Sequence, residues 1–184
     1  MAIITKEGQR TFIDVGSKLV FDPITKCLKI LKYESGIWQE IYWHKNNDGR
    51  QKFLMFLNDF SMFTNFAKLL AFTLGLDINK PHTQNNKWVC TLRRKYDYKY
   101  FVVRPDGGFI YDGKKKLAKI ISNNDDACDF MDIQLYGKGV VPVCFIQNSN
   151  AFFAFVEIIC ETHWLKTKKR IESKDFFAVT FETL

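Results

Sequence analysis

"FLMFLNDFSMFTNFAKLLAFTLGL", residues 53–76, is apolar over most of its length yet carries polar residues at a regular interval. Asn58, Ser61, Asn65 and Lys68 follow an i, i+3, i+7, i+10 spacing, which draws one narrow polar stripe on a 3.6-residue period. A helix apolar over the rest of its girth belongs in a core. The pattern predicts one long, largely apolar helix over about residues 50–75, ended by Gly75. The same stretch is too polar to span a bilayer, because Asp59 and Lys68 would each cost about 2.5–3.5 kcal/mol at a membrane-helix centre.

Strands are expected on both sides of this helix. Upstream, "RTFIDVGSKLVFD" (10–22) reads as two short strands around the Gly16–Ser17 turn. "KCLKILKYESGIWQEIYW" (26–43) reads as a hairpin whose three-residue connection contains Gly36. In its second strand Ile37, Gln39, Ile41 and Trp43 alternate with Trp38, Glu40 and Tyr42, so both faces carry aromatic rings. Downstream, "DINKPHTQNN" (77–86) reads as a loop, and "KWVCTLRR", "YKYFVVRP" and "GVVPVCFIQ" as strands. "KKLAKIIS" (115–122) fits a helix, and so does "AFFAFVEIICETHWLKTKKRIES" (151–173). "DFFAVTFETL" closes the chain as a strand with Phe177, Val179 and Phe181 on one side. The expected class is α+β, a mostly antiparallel sheet packed around the long helix.

A chain of 184 residues suits a single domain, with a candidate division into a hairpin-and-helix half (1–80) and a mixed half (87–184). No internal repeat or low-complexity linker stands out. An apolar fraction of 47% excludes the disorder signature. The five cysteines, Cys27, Cys90, Cys128, Cys144 and Cys160, are widely spaced and lack the Cys-x-x-Cys pattern, which points to reduced thiols. "MAIITKEGQRTF" has no apolar secretory core. A cytoplasmic protein without a membrane segment is expected.

The net charge of +7 makes an acidic partner the first expectation, nucleic acid foremost. The surplus concentrates between residues 87 and 119, where Lys87, Arg93, Arg94, Lys95, Lys99, Arg104, Lys114, Lys115, Lys116 and Lys119 face only Asp97, Asp106 and Asp112. Trp88, Tyr96, Tyr98, Tyr100 and Phe101 are interleaved. Cations for phosphates beside rings for base stacking are the parts of a single-strand platform, here on a hairpin tipped by Arg93, Arg94, Lys95 and Lys99. A solubilising charged hairpin explains the same residues. A second basic run holds Lys166, Lys168, Lys169, Arg170 and Lys174, which at a helix end would also complement the macrodipole.

"RPDGGFIYDGKKK" (104–116) resembles the PD-(D/E)xK nucleases over about ten residues. The resemblance implies Asp106 and Asp112 as ligands of a divalent cation such as Mg²⁺, with Lys114 orienting the nucleophile. The departures are the short interval between the two acids and Gly113 within the pair. Two tight turns around a short strand account for the same Asp and Gly residues. Elsewhere "NNDDACDFMD" clusters Asp125, Asp126, Asp129 and Asp132 without the Gly and Glu of an EF-hand loop. "CETH" puts Cys160 and His163 on one helical face, with no second ligand pair.

These residues predict a cofactor-free binding protein acting on nucleic acid or a nucleic-acid-handling complex. The Lys- and Asn-rich composition matches AT-rich coding DNA, common in phages and plasmids, so an inhibitor or regulator of a nucleoprotein machine fits. The expected contacts are Arg93, Arg94, Lys95, Tyr98, Lys99, Arg104, Lys114, Lys115, Lys116, Lys168, Lys169 and Arg170. The alternatives are the metal-dependent nuclease and a protein-only module built on the hairpin 26–43 and the acidic patch.

Overall fold

The computed structural model describes residues 2–4, 10–13, 15–34, 37–43, 57–94, 108–112, 117–121, 123–124, 129–130, 133–134, 146, 148–163 and 165–183. They fall into two compact units, Met1–Phe101 and Val102–Leu184. The class is α+β, with antiparallel sheets and two helices among the described residues.

The first unit opens with β1 (Ala2–Ile4) paired antiparallel to β2 (Arg10–Phe12). An antiparallel meander follows: β3 (Lys18–Asp22), β4 (Cys27–Glu34) and β5 (Ile37–Trp43). Next come helix α1 (Phe60–Thr73) and the strands β6 (Leu76–Ile78), β7 (His82–Gln84) and β8 (Lys87–Arg94). The sheet runs β5-β4-β3-β8-β6, and β7 pairs with β8 on the β6 side. In β3, Leu19 and Phe21 are buried while Lys18, Val20 and Asp22 are half-exposed, the period-2 signature of a sheet with one core face. Pairing sets Ile30 and Cys90 beside Leu19, and Leu28 and Trp88 beside Phe21. Helix α1 covers this face with Phe63, Phe66 and Leu70, all buried.

The second unit contains β9 (Gly108–Asp112), β10 (Leu117–Ile121), β11 (Asn123–Asn124), β12 (Asp129–Phe130) and β13 (Ile133–Gln134). Helix α2 (Ser149–Thr162) and the hairpin β14 (Leu165–Glu172) and β15 (Phe176–Thr183) complete it. The main sheet runs β13-β10-β9-β15-β14, and β11 pairs with β12 apart from it.

The two sheets have the same path. In each, three strands precede a 14-residue helix, the first strand pairs antiparallel with the last, and a strand after the helix closes the edge. Matched through register and helix caps, Phe21 corresponds to Tyr111, Phe63 to Phe152 and Trp88 to Phe177. These positions form the same triangle of rings in both units. Centroid separations are 6.0, 5.4 and 5.8 Å in the first and 6.3, 5.8 and 5.7 Å in the second. Such spacings lie in the favourable range for aromatic pairs. Both helices start on a side-chain cap, Asp59 Oδ1 accepting from Met62 N at 2.8 Å and Asn148 Oδ1 from Ala151 N at 2.9 Å. Both end on a buried threonine, Thr73 and Thr162, whose hydroxyl donates to the carbonyl three residues back. The two units therefore repeat one βββαββ plan in their main sheets, a repeat that the sequence does not display.

Several sequence expectations are corrected. The central helix is not the single long helix of about residues 50–75: it is α1, it begins only at Phe60, and α2 equals it in length. Leu57 and Asn58 lie outside the helix, and Asp59 caps it. Gly75, with φ 72°, does stand just past its end, donating to Phe72 O. Residues 117–121 form strand β10 rather than a helix, because each pairs across to β9. The helix from 151 stops at Thr162, and the basic run after it is strand β14. Stretch 77–86 is not only a loop, since it contributes β6 and β7. The closing strand β15 matches its expectation, and so does the hairpin of β4 and β5, except that Glu34 belongs to β4 and pairs with Ile37, leaving two connecting residues in place of three. "YKYFVVRP", and all but Ile146 of "GVVPVCFIQ", lie outside the described residues.

Candidate nucleic-acid interface

Charge is divided unequally between two units of one plan. The first holds 16 Lys and Arg against 9 Asp and Glu, and the second 11 against 11, so the whole surplus of +7 lies in residues 1–101. The window 87–119 therefore straddles the two units.

Of the expected contacts, Arg93, Arg94, Lys168, Lys169 and Arg170 fall on described strands. Lys95, Tyr98, Lys99, Arg104, Lys114, Lys115 and Lys116 lie outside the described residues, as does Asp106 of the nuclease pattern. Arg93 and Arg94 are exposed at the end of β8. Arg93 Nη2 donates to Asp77 Oδ2 on β6 at 2.8 Å, and this surface pair keeps both side chains over 40% exposed. Arg94 has no ion-pair partner among the described residues.

The second basic run divides in two. Lys166 bridges Glu182 at 3.5 Å, and Arg170 bonds Glu157 while lying 5.0 Å from the Phe153 ring centroid. Arg170 is thus part of the packing between α2 and β14. Lys168 and Lys169 occupy the register shift between Thr167 and Arg170, an irregularity on the edge strand, and both are exposed. The Lys169 amide donates to Thr180 Oγ1 at 3.2 Å, which fixes the shifted backbone.

Asp112 ends β9 at the position that Asp22 holds at the end of β3. Asp22 Oδ1 accepts from the amides of Ile24 (2.9 Å) and Thr25 (3.3 Å), closing the four-residue connection to β4. Burial alone would raise the Asp22 carboxyl, but these amides, the Thr25 side chain and Lys87 outweigh it and hold it below its ordinary value. Asp112 also precedes a four-residue connection, 113–116, as Asp22 precedes 23–26. No group of three or more His, Cys, Asp or Glu that could hold a metal ion occurs among the described residues.

Cys160 and His163, the other candidate ligand pair, both sit in the core. Burial, with Glu157 and Glu161 nearby, pushes the Cys160 thiol up to about 12. Burial drives the His163 imidazole down to about 3, and neither ring nitrogen has a hydrogen-bond partner among the described residues. The surroundings suit two neutral side chains.

The segment from Lys80 to Lys87, most of it loop by its sequence pattern, carries a further exposed group. His82, Thr83, Gln84, Asn85, Asn86 and Lys87 are consecutively exposed, and Asn85 and Asn86 take φ of 52° and 62°. Two successive positive φ values make a type I′ hairpin turn, which Asn tolerates better than most residues. The double-Asn signal was present in the sequence. It was masked by Pro81 and by the lack of apolar alternation in "HTQ". No acid occurs between Ile78 and Tyr96, where Lys80, Lys87, Arg93, Arg94 and Lys95 lie.

No family model, curated protein or solved structure matches this chain. Among the described residues, no helix is long and apolar enough to cross a membrane.

Proposed function

We propose that the chain is a non-catalytic nucleic-acid-binding protein that meets phosphate mainly through its first unit. The carrying observation is the division of charge. The second unit builds the same βββαββ plan with acids and bases in balance, so the plan does not require the surplus of the first. Charge that folding does not need is available to a polyanion, and each phosphate neutralised releases counterions. Lys80, Lys87, Arg93 and Arg94 stand exposed on the β6–β8 side, with Asp77 beside Arg93 and Asp22 close to Lys87 as the nearby acids. Lys168 and Lys169 add two exposed cations on the second unit. Cys27, Cys90 and Cys160 are free thiols, which supports a reducing cell interior as the place of action.

The test is retention of a labelled 30-mer duplex over a salt series by the full chain. Logarithmic affinity should fall linearly with logarithmic salt. Replacing Lys80, Lys87 and Arg94 by Ala should reduce the slope by about 0.9 for each phosphate that is no longer neutralised. Absence of retention at low salt would overturn the reading in favour of a protein-only module.

A further inference from the structure

The β7–β8 hairpin is the place where the first unit leaves the shared plan. In the second unit the matched strand, β14, continues for eight residues across its register shift to a connection of Ser173, Lys174 and Asp175. In the first unit the strand stops after Ile78, the chain passes Asn79–Pro81, and a separate strand of three residues, all exposed, turns tightly back into β8. The hairpin pairs His82 with Val89, Thr83 with Trp88 and Gln84 with Lys87. β3 accompanies β8 only from Trp88 onward, so the tip from Gln84 to Lys87 extends past the last pair with the neighbouring strand.

We infer that this tip reads base edges in the major groove of duplex DNA, an assignment that rests on the nucleic-acid reading above. Positive φ at two successive residues explains why Asn85 and Asn86 form the turn, but that demand is on their backbones. Their amide groups, and that of Gln84, make no hydrogen bond to any described residue. An amide offers a donor and an acceptor side by side, the pattern complementary to N7 and the N6 amino group of adenine. Two strands about 4.8 Å apart fit a B-form major groove about 12 Å wide. Lys80 and Lys87 flank the amides as phosphate contacts, which set register without reading sequence. The deep, narrow major groove of A-form RNA does not admit such a ribbon, so duplex DNA is the indicated partner.

The experiment selects binders for the full chain from a pool of random 30-bp DNA duplexes at moderate salt. The wild type should enrich one motif containing adenine. The variant Gln84→Ala/Asn85→Gly/Asn86→Gly keeps residues that accept a type I′ turn. It should hold bulk duplex DNA as tightly as the wild type while its preference for the selected motif falls about tenfold or more. An equal preference in that variant, no enriched motif, or equal retention of duplex RNA would each overturn the assignment while leaving the charge-based reading intact. Failure to retain any nucleic acid at low salt would overturn both.

Discussion

Arg93 donates to Asp77 across β8 and β6 at 2.8 Å, and the matched positions of the second unit hold the same bridge with its charges exchanged, Lys166 to Glu182 at 3.5 Å. The plan thus carries a complementary pair there in either orientation. Both bridges are exposed, so each contributes no more than about 1 kcal/mol. Exchanging the first pair, Asp77→Arg with Arg93→Asp, should leave the denaturation midpoint nearly unchanged. Asp77→Asn should also unfold like the wild type, yet bind duplex DNA more tightly, because it frees Arg93 and adds one unit of positive charge. A stability loss above about 2 kcal/mol in either variant would show the bridge to be structural.

The ring triangles make a larger demand. Phe63 and Phe152 are fully buried at the centre of their clusters, Phe63 against Phe21 and Trp88, Phe152 against Phe109, Tyr111 and Phe177. Truncating either to Ala should cost about 3–5 kcal/mol through reduced transfer energy and cavity formation. Residue-resolved hydrogen exchange should place the loss of protection for Phe63→Ala first in the strands around β3, and for Phe152→Ala first in those around β9. Equal loss throughout the chain for both variants would show that the two units unfold as one.

How much of this was legible follows from how each element is buried. The β4–β5 hairpin could be read from two strand-like runs separated by a short Gly-containing connection, and β15 because its faces alternate between buried and exposed. Strand β10 could not, since Leu117, Ile120 and Ile121 also fit helical spacing, and only pairing with β9 decides. Strand β14 was hidden differently, as an exposed edge strand with a register shift at Thr167, so no period-2 pattern survives. The repeated plan has few identical residues at matched positions, among them Phe63 with Phe152, Phe66 with Phe155 and Thr91 with Thr180. It conserves shape and burial in place of residue type. Of the candidate interface, the basic character was plain, but the engagement of Arg93 by Asp77 and of Arg170 by Glu157 depends on contacts between different elements.

The thiols give a chemical test of the two cores. Burial pushes both Cys90, on β8, and Cys160, on α2, up to about 12, so each is a protonated, sheltered thiol at neutral pH. Iodoacetamide applied to the native chain at pH 7.5 should leave both unmodified by peptide mass mapping. Both should be modified once denaturant passes the unfolding midpoint. Native modification of Cys90 would show that the sheet of the first unit opens locally.

His163 occupies the position after α2 that Leu74 holds after α1, and it brings into the core two nitrogens without a hydrogen-bond partner among the described residues. Burial lowers its folded-state value to about 3, from 6.5 in a free chain. Above pH 6.5 it is neutral in both states and adds no pH dependence. As pH falls from 6.5 toward 3, the unfolded chain takes up a proton that the folded chain refuses, so stability is lost by up to about 1.4 kcal/mol per pH unit. His163→Leu, which restores the residue of the matched position, removes that proton. At pH 7.5 the variant should be at least as stable as the wild type, because it removes two buried nitrogens that have no partner among the described residues. At pH 5 its advantage should be larger by about 1–2 kcal/mol, read as the difference in urea midpoints at the two pH values. An advantage that does not grow between pH 7.5 and pH 5 would mean that the imidazole reaches a proton acceptor in solution.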